Sequence, residues 1–252
     1  MAAIALVDAF VYCDGYDYTS DLNQVLLNVD PDVLPATAFR NTYKRVIGGL
    51  KPVTMQEKGF WSSAASQAPD PETFSRLGQA DKPFTVGIDE SQPSSPVSIV
   101  GSEVAYMFKG GVFHYELGDQ VGTVAPFALD VEHTGSEGVV RGIQIRTRTT
   151  VSSTGQLGAT FDTAGLGIPA GWSLFTTLHV FVPGTTITVQ VQSDDNLGFS
   201  SPTTIGTIGP ITTSTGTWLA ISTPTTDRYM RLNVSAITGT FTVAAAMGLR
   251  LT

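Results

Sequence analysis

Val7-Asp8-Ala9-Phe10-Val11-Tyr12, a turn at Asp14-Gly15, and Asn23-Gln24-Val25-Leu26-Leu27-Asn28-Val29 open the chain as two apolar strands. Val7, Ala9 and Val11 alternate with Asp8, Phe10 and Tyr12, and a period of two in aromatic and β-branched residues reads as strand. Gly15 gives the turn its access to positive φ. Val25, Leu27 and Val29 share one face of the second strand. Pro31 and Pro35 exclude a helix across residues 30–36, because proline lacks an N–H and disfavours α geometry just before it. A polar, basic loop follows: Arg40, Asn41, Thr42, Tyr43, Lys44 and Arg45. Long loops inside compact domains are often functional. Gly48-Gly49-Leu50 leads into a third strand, Val53 to Trp61, ending Gly59-Phe60-Trp61. None of this has a catalytic pattern, and the stretch reads as a surface built for other copies of the chain.

The totals fit that reading. A chain of 252 residues has room for one large β domain or two ordinary ones. With 42% hydrophobic and 14% charged residues it is not a disordered chain, and its charge is low for a monomer's surface. Residues 1–150 hold 11 Lys/Arg against 18 Asp/Glu, a net of −7; residues 151–252 hold 3 against 4, a net of −1. An acidic first half argues against grip on a phosphate backbone, which needs clustered cations. The single cysteine, Cys13, has no internal disulfide partner and reads as a buried spectator thiol. No Lys or Arg precedes Arg40, so the basic region of a signal peptide is missing, and no apolar run is long enough to span a membrane. The expectation is a reducing compartment until assembly.

Further along, Pro69 to Gly78 carries the best helix signal: Asp70 as cap, Pro71 at the first helical position, Gly78 at the stop, and Phe74 and Leu77 on one face. Phe84 to Ile88 is a strand. Val104 to Phe108 and Val112 to Leu117 flank Lys109-Gly110-Gly111, a hairpin signal. Val121 to His133 and Val139 to Thr150 are longer strands, the second with Ile143 and Ile145 facing one way and Gln144, Arg146 and Arg148 the other. Residues 151–170 are rich in Ser, Thr and Gly, and the domain boundary falls there. Six strands at roughly ten-residue spacing follow, Trp172–Val182, Thr186–Gln192, Thr203–Ile208, Thr217–Ile221, Arg228–Val234 and Thr240–Leu251, which is a sandwich signature. The fold class is mostly β: a β-sandwich or barrel module with one short helix over 1–155, then a C-terminal β-sandwich, Ig-like or jelly-roll, over 156–252.

Patterns for catalysis are few. His114, His133 and His179 lie far apart on separate strands, without a second ligand at metal spacing. Gly165-Leu166-Gly167-Ile168-Pro169-Ala170 follows no clear strand and has proline where a crossover helix should start, so it is no dinucleotide site. Asp194, Asp195 and Asn196 suit either a calcium loop or, in preference, a hairpin turn. Asp119, Asp130 and Glu132 have no paired spacing that separates them from solvent-facing carboxylates. Arg141, Arg146 and Arg148 are the one basic cluster: either an ion-paired strand face or a patch for carboxylates of a neighbouring subunit, the reading preferred here. Trp172, Trp218 and Tyr229 suit either sugar stacking or, in preference, sandwich cores. No catalytic residue, metal site or cofactor is expected, and the chain is not read as an enzyme.

Val7-Asp8-Ala9-Phe10-Val11, Ser20-Asp21-Leu22-Asn23-Gln24-Val25, Gly48-Gly49-Leu50-Lys51, Gly59-Phe60-Trp61, Tyr106-Met107-Phe108 and Val121-Gly122-Thr123-Val124-Ala125-Pro126-Phe127 resemble pieces of the major tail proteins, the tail tube subunits, of long-tailed phages, especially those of actinobacteria. Thr176 to Phe181 and Ile237 to Val243 are similar to the second domain that some of them carry. The resemblance implies hexameric rings whose inner strands join into one β-barrel around a channel, with rings stacked through long loops and termini. Val7–Tyr12 and Val25–Val29 become tube-wall strands, and Arg40–Arg45 and the N-terminal arm become links between rings. It also implies self-assembly, tape measure, tail terminator and baseplate partners, transient passage of DNA through an acidic lumen, and a place in the virion after assembly in the host cytoplasm. The neutral second domain would sit outside, where host surface glycans are a further partner. Two rivals stand beside this reading: a capsid decoration protein, and a carbohydrate-binding virion module.

Overall fold

The computed structural model describes residues 9–36, 43, 46–63, 68–88, 103–118 and 124–252. In chain order its elements are β1 (Ala9–Cys13), β2 (Tyr16–Asp17), β3 (Leu22–Val29), β4 (Val33–Pro35), β5 (Val46–Gly48), β6 (Val53–Phe60), α1 (Pro69–Arg76), β7 (Lys82–Ile88), β8 (Val104–Leu117), β9 (Pro126–His133), β10 (Val140–Val151), β11 (Gly155–Gln156), β12 (Phe161–Asp162), β13 (Trp172–Val182), β14 (Thr186–Asp194), β15 (Thr203–Ile211), β16 (Thr215–Ile221), β17 (Tyr229–Thr238) and β18 (Phe241–Leu251). The protein is mostly β, as its alternating pattern predicts, with one helix among the described residues.

The chain divides into two compact units: residues 1–20, 82–108 and 139–252 in one, residues 21–81 and 109–138 in the other. The Ser/Thr-rich break at 151–170 therefore lies inside the first unit and does not separate two domains at 155. Strand pairing is the reason: β10, before the break, pairs along its length with β18 at the far end of the chain.

In the first unit, one sheet runs β16-β13-β18-β10-β8-β7-β1-β2. It curls until its two ends meet. Gly216 N–H donates to Asp14 Oδ1 at 2.9 Å, and the Thr85 and Thr177 hydroxyls bond at 2.8 Å. Gly15 makes the approach possible; a Cβ there would lie 2.5 Å from the Thr215 nitrogen, and its φ is +78°. Alternate side chains enclose one core of Phe10, Tyr12, Met107, Phe175 and Phe181. The opposite face packs Leu174, Leu178, Val243 and Met247 against a five-stranded sheet of β11, β12, β14, β15 and β17, through Val189, Val191, Leu232 and Val234. β13 is buried on both faces, with Ser173, Thr176, Thr177 and His179 buried among its apolar residues. The C-terminal half is thus a sandwich layer, as its turn spacing predicts.

The second unit is an antiparallel sheet, β3-β6-β9-β8, with α1 beside it. β6 alternates cleanly: Val53, Met55, Glu57 and Gly59 are buried, and Thr54, Gln56, Lys58 and Phe60 are exposed. α1 is held by the Tyr115 hydroxyl, which donates to Asp70 at 2.9 Å, and by Gly78 N–H, which donates to the Val112 carbonyl at 2.8 Å. Asp70 is thus not the cap; Ala68 holds that position without a side-chain hydrogen bond. Lys109-Gly110-Gly111 is not a hairpin either, since β8 runs straight through it. Gly110 and Gly111 stay paired with His133 and Glu132 of β9. The glycine at 111 serves a close approach, because a Cβ there would meet the Gln79 carbonyl at 2.5 Å.

Candidate assembly surface

β3 has one strand partner, β6, among the described residues. It is eight residues long, and among the described residues its other edge has no strand partner, with Leu26 and Val29 exposed beside it. An edge of this length with apolar side chains invites another strand.

The β3–β6 ladder does not stop at Val29. Asp30 N–H reaches the Pro52 carbonyl at 3.3 Å, Asp32 N–H reaches that of Leu50 at 2.7 Å, and β4 then pairs with β5 through Val33↔Gly48, Leu34↔Ile47 and Pro35↔Val46. The result is a two-stranded arm. Its side chains are uncovered: Val33 is 68% exposed, Val46 61%, Ile47 56% and Leu50 80%. A lone two-stranded ribbon is marginal in water, and scattered exposed apolar residues are common whereas a contiguous set marks an interaction site. Of the loop Arg40–Arg45, Tyr43 is described and 82% exposed; Arg40, Asn41, Thr42, Lys44 and Arg45 lie outside the described residues. The sequence reading missed the arm because its strands are three residues each, with prolines at 31 and 35. The run Val33-Leu34 facing Val46-Ile47 was the available signal.

The outward face of the β3-β6-β9-β8 sheet is polar. Register places Gln24, Leu26 and Asn28 of β3, Thr54, Gln56 and Lys58 of β6, Asp130 and Glu132 of β9, and His114 and Glu116 of β8 on it. Three carboxylates face one ammonium there.

The inward face holds the one anomaly. Glu57 is fully buried, its neighbours across the ladder are Val25 and Leu129, and neither carboxylate oxygen has a hydrogen-bond partner. Burial pushes its pKa up to about 8, so it stays protonated near neutrality. It keeps phase with Val53 and Met55, and the period of two could have flagged it.

The basic cluster does not form one surface. A bulge after Gln144 breaks the alternation and sets Arg146 opposite Ala245. Arg141 is exposed, and Arg146 is half-buried with its Nε unbonded. Arg148 bonds Asp17 of its own chain at 3.1 Å and lies over the Phe181 ring. The aromatics are likewise apart. Trp172 starts β13 opposite Leu251; Trp218 packs on Phe175 at 5.4 Å and against the barrel core; Tyr229 starts β17 under the Arg228 guanidinium. Asp194 organises a turn, accepting the Asn196 N–H at 2.8 Å and the Ser201 N–H at 2.9 Å, and these bonds lower its pKa.

The histidines also sit apart. His114 is exposed near Glu116, His133 accepts the Gly138 N–H, and His179 is buried with Nε2 2.9 Å from the Thr85 hydroxyl. Burial drops the His179 pKa to about 3, so it is a neutral core residue.

No family model matches the chain, and no curated protein matches it. Among solved structures, it is similar to a chain in the virion of a native gene transfer agent particle, at 12% identity and TM-score 0.42, over 53% of this chain and 96% of that one. A chain in the tail of an empty gene transfer agent particle of C6 symmetry matches at 9% identity and TM-score 0.35, over 46% and 79%. The Dit protein of phage SPP1, described as a hub of the adsorption apparatus, matches at 12% identity and TM-score 0.35, over 96% and 99%.

Proposed function

We propose that this chain is a structural subunit of a phage tail, polymerising into stacked rings that enclose the DNA channel. The observation that carries the reading is the edge of β3, unpaired among the described residues, continuing into the uncovered apolar arm of β4 and β5. Both features are liabilities in a free monomer and are resolved together by contact with other copies. A neighbour's strand on the β3 edge closes a ring when the rotation is right, since a head-to-tail contact between unlike surfaces closes or propagates according to its geometry. The arm then reaches beyond the sheet to another ring. Permanent interfaces of this kind bury roughly 2,000–5,000 Å² and are more apolar than transient ones, which accounts for the low charge of the chain.

The resemblance of the quoted sequence pieces to tail tube subunits supports the same reading. The polar face with Glu116, Asp130 and Glu132 is the side we assign to the lumen. Carboxylates there repel DNA phosphates, so the duplex passes without being held. The other tail components implied by that family, the tape measure, terminator and baseplate proteins, are then its partners, and the virion tail is its place. Electron microscopy of the purified chain tests this: stacked hollow rings support a tube, single rings that never stack place the chain at one level of the tail, and free small particles count for a decoration protein.

A further inference from the structure

β16 and β1–β2 stand at opposite ends of the first unit's long sheet, and no ladder joins them among the described residues. Side chains close the seam instead. The Asp14 carboxylate accepts the Gly216 N–H at 2.9 Å and pairs with Lys82 at 2.8 Å, and the Ser214 hydroxyl donates to the Gly15 carbonyl at 3.1 Å. Deeper in, the Thr85 hydroxyl of β7 bonds the Thr177 hydroxyl of β13 at 2.8 Å and His179 Nε2 at 2.9 Å. Gly216 lets the two edges meet, because a Cβ there would lie 2.6 Å from Pro83 Cγ and 2.8 Å from Asp14 Cα.

His179 is fully buried at this seam. Phe181 stacks beside its ring at 6.2 Å, and Tyr12 lies at 5.8 Å. Nδ1 has no hydrogen-bond partner. The neutral ring can leave Nδ1 unprotonated, whereas an imidazolium must place an N–H there without an acceptor. Nearby charges do little to offset this. Asp14 of β1 favours protonation, but it is engaged by Lys82 of β7 and by Gly216, and burial outweighs it. Beyond Phe181, Arg148 of β10 is paired with Asp17 of β2. The Tyr12 hydroxyl accepts from Gln144 of β10, and burial raises its pKa, so it stays neutral. Gly216 of β16 and Ala244 of β18, the register partners of His179, do not titrate.

We infer that the contact of His179 with Thr85 and Thr177 is an acid-released latch: protonation of the imidazole parts the β13–β16 edge from the β1–β7 edge and opens the barrel of the first unit. The closed seam holds the His179 pKa near 3 through burial, and an open seam returns it towards its ordinary 6.5. Between those values the open form takes a proton that the closed form refuses. The latch therefore contributes fully above pH 6.5, and its contribution is lost as pH falls. Each pH unit favours opening by about tenfold, and the effect levels off near the lower value. Glu57, in the other unit, holds its proton to about 8 and cannot cause a loss on acidification.

The test is hydrogen exchange read by mass spectrometry on the full-length chain at pH 6, 5 and 4, corrected for the intrinsic pH dependence of exchange. In wild type, protection of residues 9–14 and 214–218 should fall about tenfold per pH unit. Residues 187–191, whose apolar side chains lie in the sandwich core, should stay protected. His179→Gln keeps a hydrogen-bonding group towards Thr85 and cannot take the proton, so its seam protection should fall less than about tenfold over the whole range. Parallel loss in wild type and His179→Gln overturns the inference, and so does wild-type seam protection that holds to pH 4. If His179→Gln does not melt cooperatively at pH 7, wild type decides alone. Loss confined to the seam then supports the latch, and equal loss at residues 187–191 overturns it.

Discussion

Glu57 stands directly opposite Leu129 across the β6–β9 ladder, a fully buried carboxyl beside an aliphatic side chain with no donor to either oxygen. The pairing makes the second unit sensitive to pH. Free of the fold, the carboxyl ionises near its ordinary value of 4.5; folded, it holds its proton to about 8. Between those values the unfolded chain releases a proton that the folded chain keeps, so stability falls as pH rises through the window and levels off above it. Each unit of pKa difference corresponds to about 1.4 kcal/mol, so the loss is a few kcal/mol in total. Glu57→Leu should flatten the dependence and melt higher than wild type at pH 8, with the gap narrowing at pH 4.5. Melting curves at the two pH values check this, and parallel wild-type and variant curves would refute it.

Removing residues 160–252 should abolish folding rather than release an independent tube module. The deletion strips β18 from β10, and Phe175, Phe181, Ala244 and Ala246 from the barrel core. Loss of a cooperative thermal transition in the truncated chain is the expected result. A soluble, cooperatively melting fragment would restore a boundary near residue 155.

The lumen assignment predicts a gain of DNA binding by charge reversal. Asp130→Lys with Glu132→Lys places two cations on the polar face while leaving the buried alternation of β9 intact. Assembled particles of this variant should retain double-stranded DNA at low salt and release it steeply as salt rises. Wild-type particles should not retain it. Unchanged behaviour would mean that this face does not look into the channel.

Sequence pattern carried the strands of the first unit well. β13 and β18 are long and bounded by Pro183-Gly184 and Thr238-Gly239, so length and turn chemistry agree. The site was harder to read. Gly110-Gly111 satisfies a hairpin rule and a close-approach rule equally, and only the position of the Gln79 carbonyl decides between them. The break at 151–170 tracks charge, and charge follows exposure rather than strand pairing, so it marked no boundary. Arg148 shows the same limit: its partner, Asp17, is 131 residues away in sequence. The arm was hidden because three-residue strands beside prolines carry too short a period to detect.

Negative-stain electron microscopy of the purified full-length chain across a concentration series decides whether it assembles as a tube. Hollow rings that stack end to end above a critical concentration are expected, with loss of the stacks in Ile47→Asp. A monodisperse monomer at every concentration, with β3 and the arm left bare, would contradict it.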